Sequence, residues 1–210
     1  MLSLFEFQQR FSSEEACQEH LFNMRWAEGF ECPRCGCKEY YHISSRRHYQ
    51  CRDCNYQASL TAGTIFHKTR TALRKWFWAI FLVANDKRGF SALSLQHSID
   101  VSYPTAWLML HKIRTAMSDR ELKSQGYTHE RVLSSSPEAE EKLHWVHALI
   151  SNAKAFMVGT FHGLDKSHLQ AYLDEFCYRF NRRKWRNQLF NRLLHACVVG
   201  PTVTYAELTL

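Results

Sequence analysis

Residues 32–54 read CPRCGCKEYYHISSRRHYQCRDC and contain two Cys-x-x-Cys knuckles. The gap between the knuckles, residues 36–50, is fifteen residues long, at the short end of the four-cysteine pattern of zinc sites. A Cys-x-x-Cys turn presents two sulfurs from one side, and Zn²⁺ binds four thiolates tetrahedrally at about 2.3 Å. The stretch therefore predicts a zinc ribbon, with a short hairpin between the knuckles. One structural Zn²⁺ is predicted to be held by Cys32, Cys35, Cys51 and Cys54.

Two alternatives accompany this interpretation. Cys37 is an alternative ligand in place of Cys35, and in a secreted protein the four cysteines would form a pair of disulfides. Residues 1–6 contain neither the basic segment nor the apolar run of a signal peptide. The longest apolar run, residues 76–84, is too short to cross a bilayer. We therefore expect a cytoplasmic protein without a membrane partner.

The other cysteines are predicted to be free core thiols: Cys17, Cys177 and Cys197.

The positive charge of the chain is concentrated just after the ribbon. The whole protein has a net charge of +7, and residues 55–120 contain nine Lys/Arg against three Asp/Glu, a net charge of +6. A basic segment beside a zinc ribbon predicts a polyanionic partner, most simply nucleic acid. The alternative is a basic surface that serves only solubility.

A helix-turn-helix pattern lies within this basic segment. A buried helix is predicted over residues 73–84, a short helix over 92–98, a tight turn over 99–102 and a third helix from Pro104. In such a unit the start of the last helix enters the major groove, although trihelical units also occur as pure packing modules. The residues predicted to contact DNA at base edges are Ser102, Tyr103, Thr105 and Trp107. Lys112 and Arg114 are predicted to contact phosphates.

The C-terminal part is predicted to be helical. One helix carries an apolar stripe from Leu169 to Phe180. Residues 127–210 are expected to fold poorly on their own, and this stripe would then be exposed or buried by self-association. Residues 179–192 then contain six Lys/Arg and no acid, interleaved with aromatic residues. This segment is typical either of a phosphate-binding surface or of a solvated helix end.

Taken together, these motifs resemble bacterial insertion-sequence transposases with an N-terminal zinc ribbon. The resemblance covers nearly the whole chain. Apart from the ribbon, the stretches that carry it lie at residues 60–67, 76–77, 102–107, 111–114, 145–147, 151–154, 159–162, 173–176, 179–183 and 203–208.

The resemblance implies a catalytic domain of the RNase H-like (DDE) type, in which clustered carboxylates bind two Mg²⁺ ions for DNA cleavage and strand transfer. The family places two Asp on strands, and a third residue on a helix with a Lys seven positions later. His147 and Lys154 match the third residue and the Lys. The first two Asp have no counterpart, because Asp119 is the only Asp between residues 118 and 147. We therefore expect no productive Mg²⁺ site.

The predicted fold is mostly α with a small β component. Residues 1–60 form an N-terminal helix and the zinc ribbon, 61–118 a helix-turn-helix domain, 119–136 a linker at a deletion junction, and 137–210 a truncated, helical RNase H-like remnant. The predicted function is that of a defective transposase remnant that binds double-stranded DNA at terminal inverted repeats without strand transfer. The alternative is a transcriptional regulator whose C-terminal helices form a homo-oligomer.

Overall fold

The computed structural model describes residues 2–43, 48–118, 139–161 and 164–209. The N-terminal elements are α1 (Leu4–Arg10), α2 (Glu14–Arg25), β1 (Tyr40–Ile43), β2 (His48–Cys51) and β3 (Gln57–Ser59). The remaining elements are α3 (Leu73–Asn85), α4 (Ala92–Ile99), α5 (Tyr103–Met117), α6 (Ala139–Thr160), α7 (Leu169–Asn181), α8 (Leu189–Val199) and α9 (Tyr205–Thr209). Within these described residues all strands belong to the ribbon, so the predicted fold class, mostly α with a small β part, is confirmed. The predicted linker, residues 119–136, lies outside the described residues.

The ribbon is an antiparallel sheet in the order β1-β2-β3. The predicted hairpin corresponds to β1 and β2, which pair Tyr40 with Cys51. The third strand is absent from the sequence prediction, and it pairs Ala58 with Tyr49 of β2. Residues 61–66 form turns.

Helix α2 packs against the ribbon and connects it to the rest of the chain. The ring centroids of Phe22 and Tyr49 are 4.8 Å apart. Arg25 Nη1 donates a hydrogen bond to the carbonyl of Leu60 at 2.8 Å. The ribbon has only a small core of its own, made of Phe30, Cys32, Cys51 and Ala58, so its fold depends on α2 and on the cysteine cluster.

Aromatic side chains join α1, α3 and α8 in the main core. The fully buried ring of Phe7 stacks on Phe81 at 4.3 Å and meets the ring of Phe190 at 5.5 Å. Buried aromatic rings contribute large apolar areas and favour such stacked and edge-on contacts. The same core extends through α5 to α8, so residues 61–118 and the C-terminal helices share one hydrophobic interior.

The start of α3 is capped from another helix. Ala72, at its N-cap position, provides no side-chain hydrogen bond. Instead the carboxylate of Glu14 in α2 accepts the backbone N–H groups of Leu73 and Arg74 at 2.9 and 3.0 Å. The first N–H groups of a helix have no partner within that helix. Glu14, 59 positions before Leu73 in the sequence, therefore accepts these hydrogen bonds.

The predicted helix-turn-helix is present in α4 and α5. Ser91 caps α4 by accepting the N–H of Ser94 at 3.1 Å. The helix ends at Asp100, whose φ of 51° is left-handed, a conformation that Asp tolerates better than most residues. Pro104 lies in the first turn of α5. Residues 100–102 therefore form a tight turn between the two helices.

The apolar stripe of α7 is covered in its middle but not along its whole length. Phe176 is buried, whereas Leu169 is 41% exposed and Cys177 is exposed. Helix α7 packs along α5, and the ring of Phe156 in α6 lies 5.8 Å from that of Phe176. In the whole chain, α5 and α6 thus cover the middle of the stripe, and the sequence of α7 alone does not reveal this packing. The expectation for residues 127–210 on their own stays a prediction, because that segment lacks α5.

The free thiols follow the prediction in two cases out of three. Cys17 and Cys197 are buried in the core. Cys177 on α7 is exposed, so the prediction is wrong for this residue. No helix in the described part of the chain is both long and apolar enough to cross a membrane.

Candidate zinc centre and nucleic-acid interface

Four cysteine sulfurs converge at the two knuckles of the ribbon. The Sγ atoms of Cys32, Cys35, Cys51 and Cys54 all lie within 4.8 Å of one another. The Cys32–Cys54 and Cys35–Cys51 pairs are 3.6 and 3.5 Å apart. Thiolates at 2.3 Å around a tetrahedral Zn²⁺ are separated by about 3.8 Å, so this arrangement fits a structural zinc ion. Among the described residues, no other group of three or more His, Cys, Asp or Glu could hold a metal.

The first knuckle is closed by a turn that excludes Cys37 from the cluster. Gly36 N donates to Cys32 O at 2.9 Å, and Cys32 N donates to Cys37 O at 2.9 Å. The φ of Gly36 is 73°, a left-handed conformation that glycine adopts without strain. The Cys37 sulfur instead accepts the backbone N–H of Glu39 at 3.4 Å. The geometry thus favours Cys35 over Cys37 as the ligand.

The backbone of the second knuckle favours the thiolate form of Cys51. Hydrogen bonds from the backbone of Cys54 and then of Asp53 lower the pKa of the Cys51 thiol to about 6, although burial acts in the opposite direction. The thiolate is the form that binds metal. The backbone of the second knuckle therefore favours the metal-binding form of one of the four sulfurs.

The first turn of α5 presents three of the residues predicted to contact DNA. Ser102 is exposed, Tyr103 is 50% exposed and Thr105 is half-buried. The hydroxyls of Ser102 and Thr105 are 2.9 Å apart. Residues at the start of the second helix of a helix-turn-helix are those that reach base edges in the major groove. The structure leaves these three side chains accessible for such contacts.

Trp107 is partly covered by other aromatic side chains. Its ring centroid lies 4.0 Å from that of His111, 5.4 Å from that of His168 and 6.4 Å from that of Tyr205. The side chain is half-buried. Trp107 thus packs the C-terminal segments against α5, and only part of its surface is available to DNA.

Lys112 and Arg114 do not face solvent, so their predicted role in phosphate contacts is wrong. Lys112 is 7% exposed, and its Nζ donates to the carbonyl of Ile65 at 3.0 Å. Burial lowers the pKa of this amine. Arg114 is 3% exposed, and its Nε donates to Glu175 Oε2 at 2.7 Å. Both residues lie on the inner side of α5, where they connect it to the 61–66 loop and to α7.

A buried network of three charges joins α5 to α7. Glu175 is 1% exposed and accepts from Arg114 through one oxygen and from Arg179 through the other, at 2.7 Å each. Burial alone would raise the pKa of Glu175, but Arg114 and Arg179 outweigh it and hold the pKa below its usual value. The guanidinium of Arg114 also lies 4.2 Å from the ring centroid of Tyr172. The charges are thus compensated inside the core.

Lys75 is a candidate phosphate contact that the sequence analysis does not single out. Its Nζ donates a hydrogen bond to the carbonyl of Asp100, which places the ammonium beside the turn that precedes α5. The side chain is half-buried, not enclosed. The net charge of residues 55–120 is the only sequence signal for this cation, since its position depends on how α3 packs against the turn.

The two residues that match the family's catalytic positions lie on α6. His147 and Lys154 are both exposed, and their spacing of about two turns places them on the same side of the helix. Among the described residues, no carboxylate forms a hydrogen bond or an ion pair with either of them. Asp165 caps the following turn by accepting the N–H of Ser167 at 2.9 Å, and Glu175 is committed to its two arginines. Asp119 lies outside the described residues.

Two regions of the chain match models of transposase domains. Residues 12–57 match the transposase zinc-ribbon domain, which agrees with the position of the cysteine cluster. Residues 116–181 match the ISXO2-like transposase domain. The second match spans the end of α5, the predicted deletion junction, α6 and α7.

One relative is a protein of Halobacterium salinarum described as an uncharacterized protein in transposable element ISH50. It is 32% identical over 110 residues, which cover 51% of this chain and 37% of the relative. The chain thus spans little more than a third of the length of the curated relative that it matches. No solved structure matches this chain.

Proposed function

We propose that this chain, which carries a transposase zinc-ribbon domain and sequence of an ISXO2-like transposase domain, binds duplex DNA at the terminal inverted repeats of an insertion sequence. It acts in the cytoplasm as a remnant that retains DNA recognition without strand transfer. The recognition unit is the helix-turn-helix of α4 and α5, and the zinc ribbon supports it through α2.

The observation that carries the proposal is the accessible first turn of α5. Tyr103 and Thr105 lie directly after the turn, where a recognition helix places its base-reading side chains. Lys75 lies beside the same turn and is suited to a backbone phosphate. Phosphate contacts position a protein on DNA, and base contacts specify the sequence, so the proposal places residues for both kinds of contact side by side.

A transcriptional regulator is the second candidate, and two observations argue against it. The domain matches and the relative all come from transposable elements. The regulator hypothesis also relies on the C-terminal helices for oligomerisation, yet the apolar side of α7 packs against α5 and α6. Self-association through that stripe is therefore not favoured.

The zinc-loaded full chain is expected to prefer a duplex of the element's own terminal repeat over a scrambled duplex of equal length. Affinity should fall steeply with salt, because each neutralised phosphate releases counterions. Tyr103→Ala and Thr105→Ala should each lower the preference by roughly fivefold or more, since one base contact is worth about 1–3 kcal/mol. Fluorescence anisotropy at several salt concentrations measures both quantities.

The matched control is Tyr41→Ala, which removes a tyrosine of similar exposure from the ribbon hairpin. This variant should keep the preference for the repeat. Equal affinity for the repeat and the scrambled duplex, or an affinity that does not change between low and moderate salt, would contradict the proposal. Preference for an unrelated promoter would support the regulator instead.

We further expect no cleavage or strand transfer of inverted-repeat DNA with Mg²⁺ or Mn²⁺, even where binding is clear. Two-metal catalysis needs clustered oxygen ligands, and the segment between residues 118 and 147 offers Asp119 alone among aspartates. Imidazole is a poor Mg²⁺ ligand, so His147 with Lys154 does not replace the missing pair.

An end-cleavage assay beside a full-length relative checks this expectation. The relative should nick the labelled repeat end, whereas this chain should leave it intact. Metal-dependent nicking by this chain that disappears in His147→Ala would refute the expectation and would make His147 part of a working site.

A further inference from the structure

A second positive surface lies at the junction of α7 and α8, far from the start of α5. We define this basic turn as Arg182, Arg183, Lys184 and Arg192. Residues 176–206 contain no Asp or Glu, so the charge is not neutralised locally. Arg179 is excluded from the surface, because it pairs with the buried Glu175.

The arginines of the basic turn lie over aromatic rings. The guanidinium carbons of Arg182, Arg183 and Arg192 lie 4.0, 3.9 and 5.0 Å from the ring centroids of Tyr178, Phe180 and Trp185. A cation–π contact of this kind restrains the position of a guanidinium while its N–H groups can still bind other partners. The surface is thus pre-organised for binding, with less side-chain entropy to lose than three free arginines would have.

Few donors of these side chains are used inside the protein. Arg183 donates to the Phe180 carbonyl at 2.8 Å, and Arg192 donates to Gln188 Oε1 at 3.1 Å. Within the described parts of the chain, no carboxylate pairs with any residue of the basic turn. Arg182, Arg192 and His195 line one open groove of about 800 Å³. Several unpaired donors therefore face a shared space.

We propose that the basic turn binds the phosphate backbone of duplex DNA, as a second contact separate from the first turn of α5. Arginine forks match phosphate oxygens in a bidentate manner, and Arg182, Arg183 and Lys184 lie in the turn after α7, not on a helix that could enter the major groove. The contact is therefore independent of sequence. The inference rests on the proposed function, because it assigns a further part of the same DNA to this surface.

The length of α7 gives a minimum distance between the two DNA contacts. Helices α5 and α7 run side by side in the same direction, since Trp107 meets His168 near their starts and Met117 and Arg182 line one groove near their ends. With 13 residues in α7 and a rise of 1.5 Å per residue, the contacts are separated by at least about 20 Å along the helices. This length corresponds to about six base pairs of duplex at 3.4 Å each.

The experiment compares the zinc-loaded full chain with the triple variant Arg182→Gln/Arg183→Gln/Arg192→Gln on the terminal-repeat duplex. Each phosphate contact contributes about 0.9 to the slope of log affinity against log salt. We expect the triple variant to lose about 2 to 3 units of slope and to bind roughly tenfold or more weakly at low salt. The preference for the repeat over the scrambled duplex should be unchanged.

The triple Arg→Lys variant at the same positions is the matched control, because it retains the charge and loses the stacked planar fork. It should keep the slope within about one unit of the wild type. Zinc content and far-UV circular dichroism verify that each variant is folded. Lys184 is exposed and is not among the arginines that contact aromatic rings. Lys184→Gln alone should lower the slope by about 0.9, and this variant tests the proposal if the triple variant unfolds.

The outcomes separate the two proposals. Unchanged slope and affinity in both the triple Gln variant and Lys184→Gln, with a clear wild-type preference for the repeat, would overturn the second contact and leave the proposed function standing. No binding of any duplex by the wild-type chain would overturn the proposed function itself. Loss of repeat preference, without loss of slope, would show that the basic turn reads sequence and would also refute the inference.

Discussion

Removal of zinc is expected to unfold the ribbon while the helical core remains folded. The ribbon core consists of four buried residues, two of which are the ligands Cys32 and Cys51. Such a core cannot offset the chain entropy of the segment without the metal. Structural Zn²⁺ supplies about 10–16 kcal/mol in zinc-finger peptides. Chelation should therefore remove hydrogen-exchange protection from β1, β2 and β3 and preserve it in α3, α5 and α8.

The substitution Cys51→Ser tests the same prediction without a chelator. Metal analysis should find one zinc per wild-type chain and far less in the variant, because a ligand is lost. Cys37→Ser is the matched control, since the Cys37 sulfur lies outside the cluster, and it should keep full zinc content. Full zinc in Cys51→Ser, or equal zinc loss in both variants, would refute the assigned ligand set.

The second large effect is expected for Glu175→Ala. This substitution leaves Arg114 buried without its carboxylate and removes a partner of Arg179. Breaking one side of a buried ion pair costs about 3–5 kcal/mol, because the remaining charge is uncompensated. We expect the free energy of unfolding to fall by that amount in urea denaturation, with the loss concentrated where α7 meets α5.

Asp174→Ala is the matched control for this prediction. Asp174 is the adjacent acid of α7, is half-buried and accepts from Gln170 Nε2 at 2.8 Å. A surface hydrogen bond at this spacing is worth about 0.2–0.5 kcal/mol, so the control should be nearly as stable as the wild type. The double variant Arg114→Met/Glu175→Leu should recover much of the loss, because apolar pairs often replace buried ion pairs well. Equal stability of Glu175→Ala and Asp174→Ala would show that the network does not stabilise the fold.

The same network gives stability a pH dependence of known sign. The pKa of Glu175 is held below its usual value in the folded chain, so the unfolded chain binds the proton more tightly. The contribution of Glu175 is therefore fully present above the unfolded pKa and is lost as the pH falls through the folded pKa. Glu175→Ala should lose this acid dependence, and Asp174→Ala should retain it, in the same denaturation experiments.

Local sequence signals predicted the ribbon and the helix-turn-helix well. The ligand spacing of a Cys-x-x-Cys turn and the pairing of two short strands depend on residues close in the chain. The turn at residues 100–102 likewise depends on neighbouring residues, with Pro104 in the first helical turn that follows. Features of this kind can be predicted without knowledge of the helices and strands that pack against them. The third strand escaped prediction because Gln57–Ser59 is too short to show a pattern of its own.

The contacts of individual charged residues depend on partners that are distant in the sequence. Lys112 and Arg114 are basic residues on a helix in a basic segment, and charged residues are normally exposed. Both are buried instead, because their partners Ile65 and Glu175 lie 47 and 61 positions away in the chain. The cation that lies at the recognition turn is Lys75, which comes from another helix. The period of a helix shows which residues share a side, but it does not show which distant residues those side chains contact.

The sequence by itself determined the zinc ligands, the helix-turn-helix and the resemblance to insertion-sequence transposases, because each rests on residue types at short, fixed spacings. The tertiary structure alone decided which side of α5 is buried, which acid caps α3 and what covers α7. A helix can bury any side for which another element supplies apolar area and opposite charge. Those elements come from distant parts of the chain, so the inner and outer sides of α5 were set by packing against α7 and the 61–66 loop.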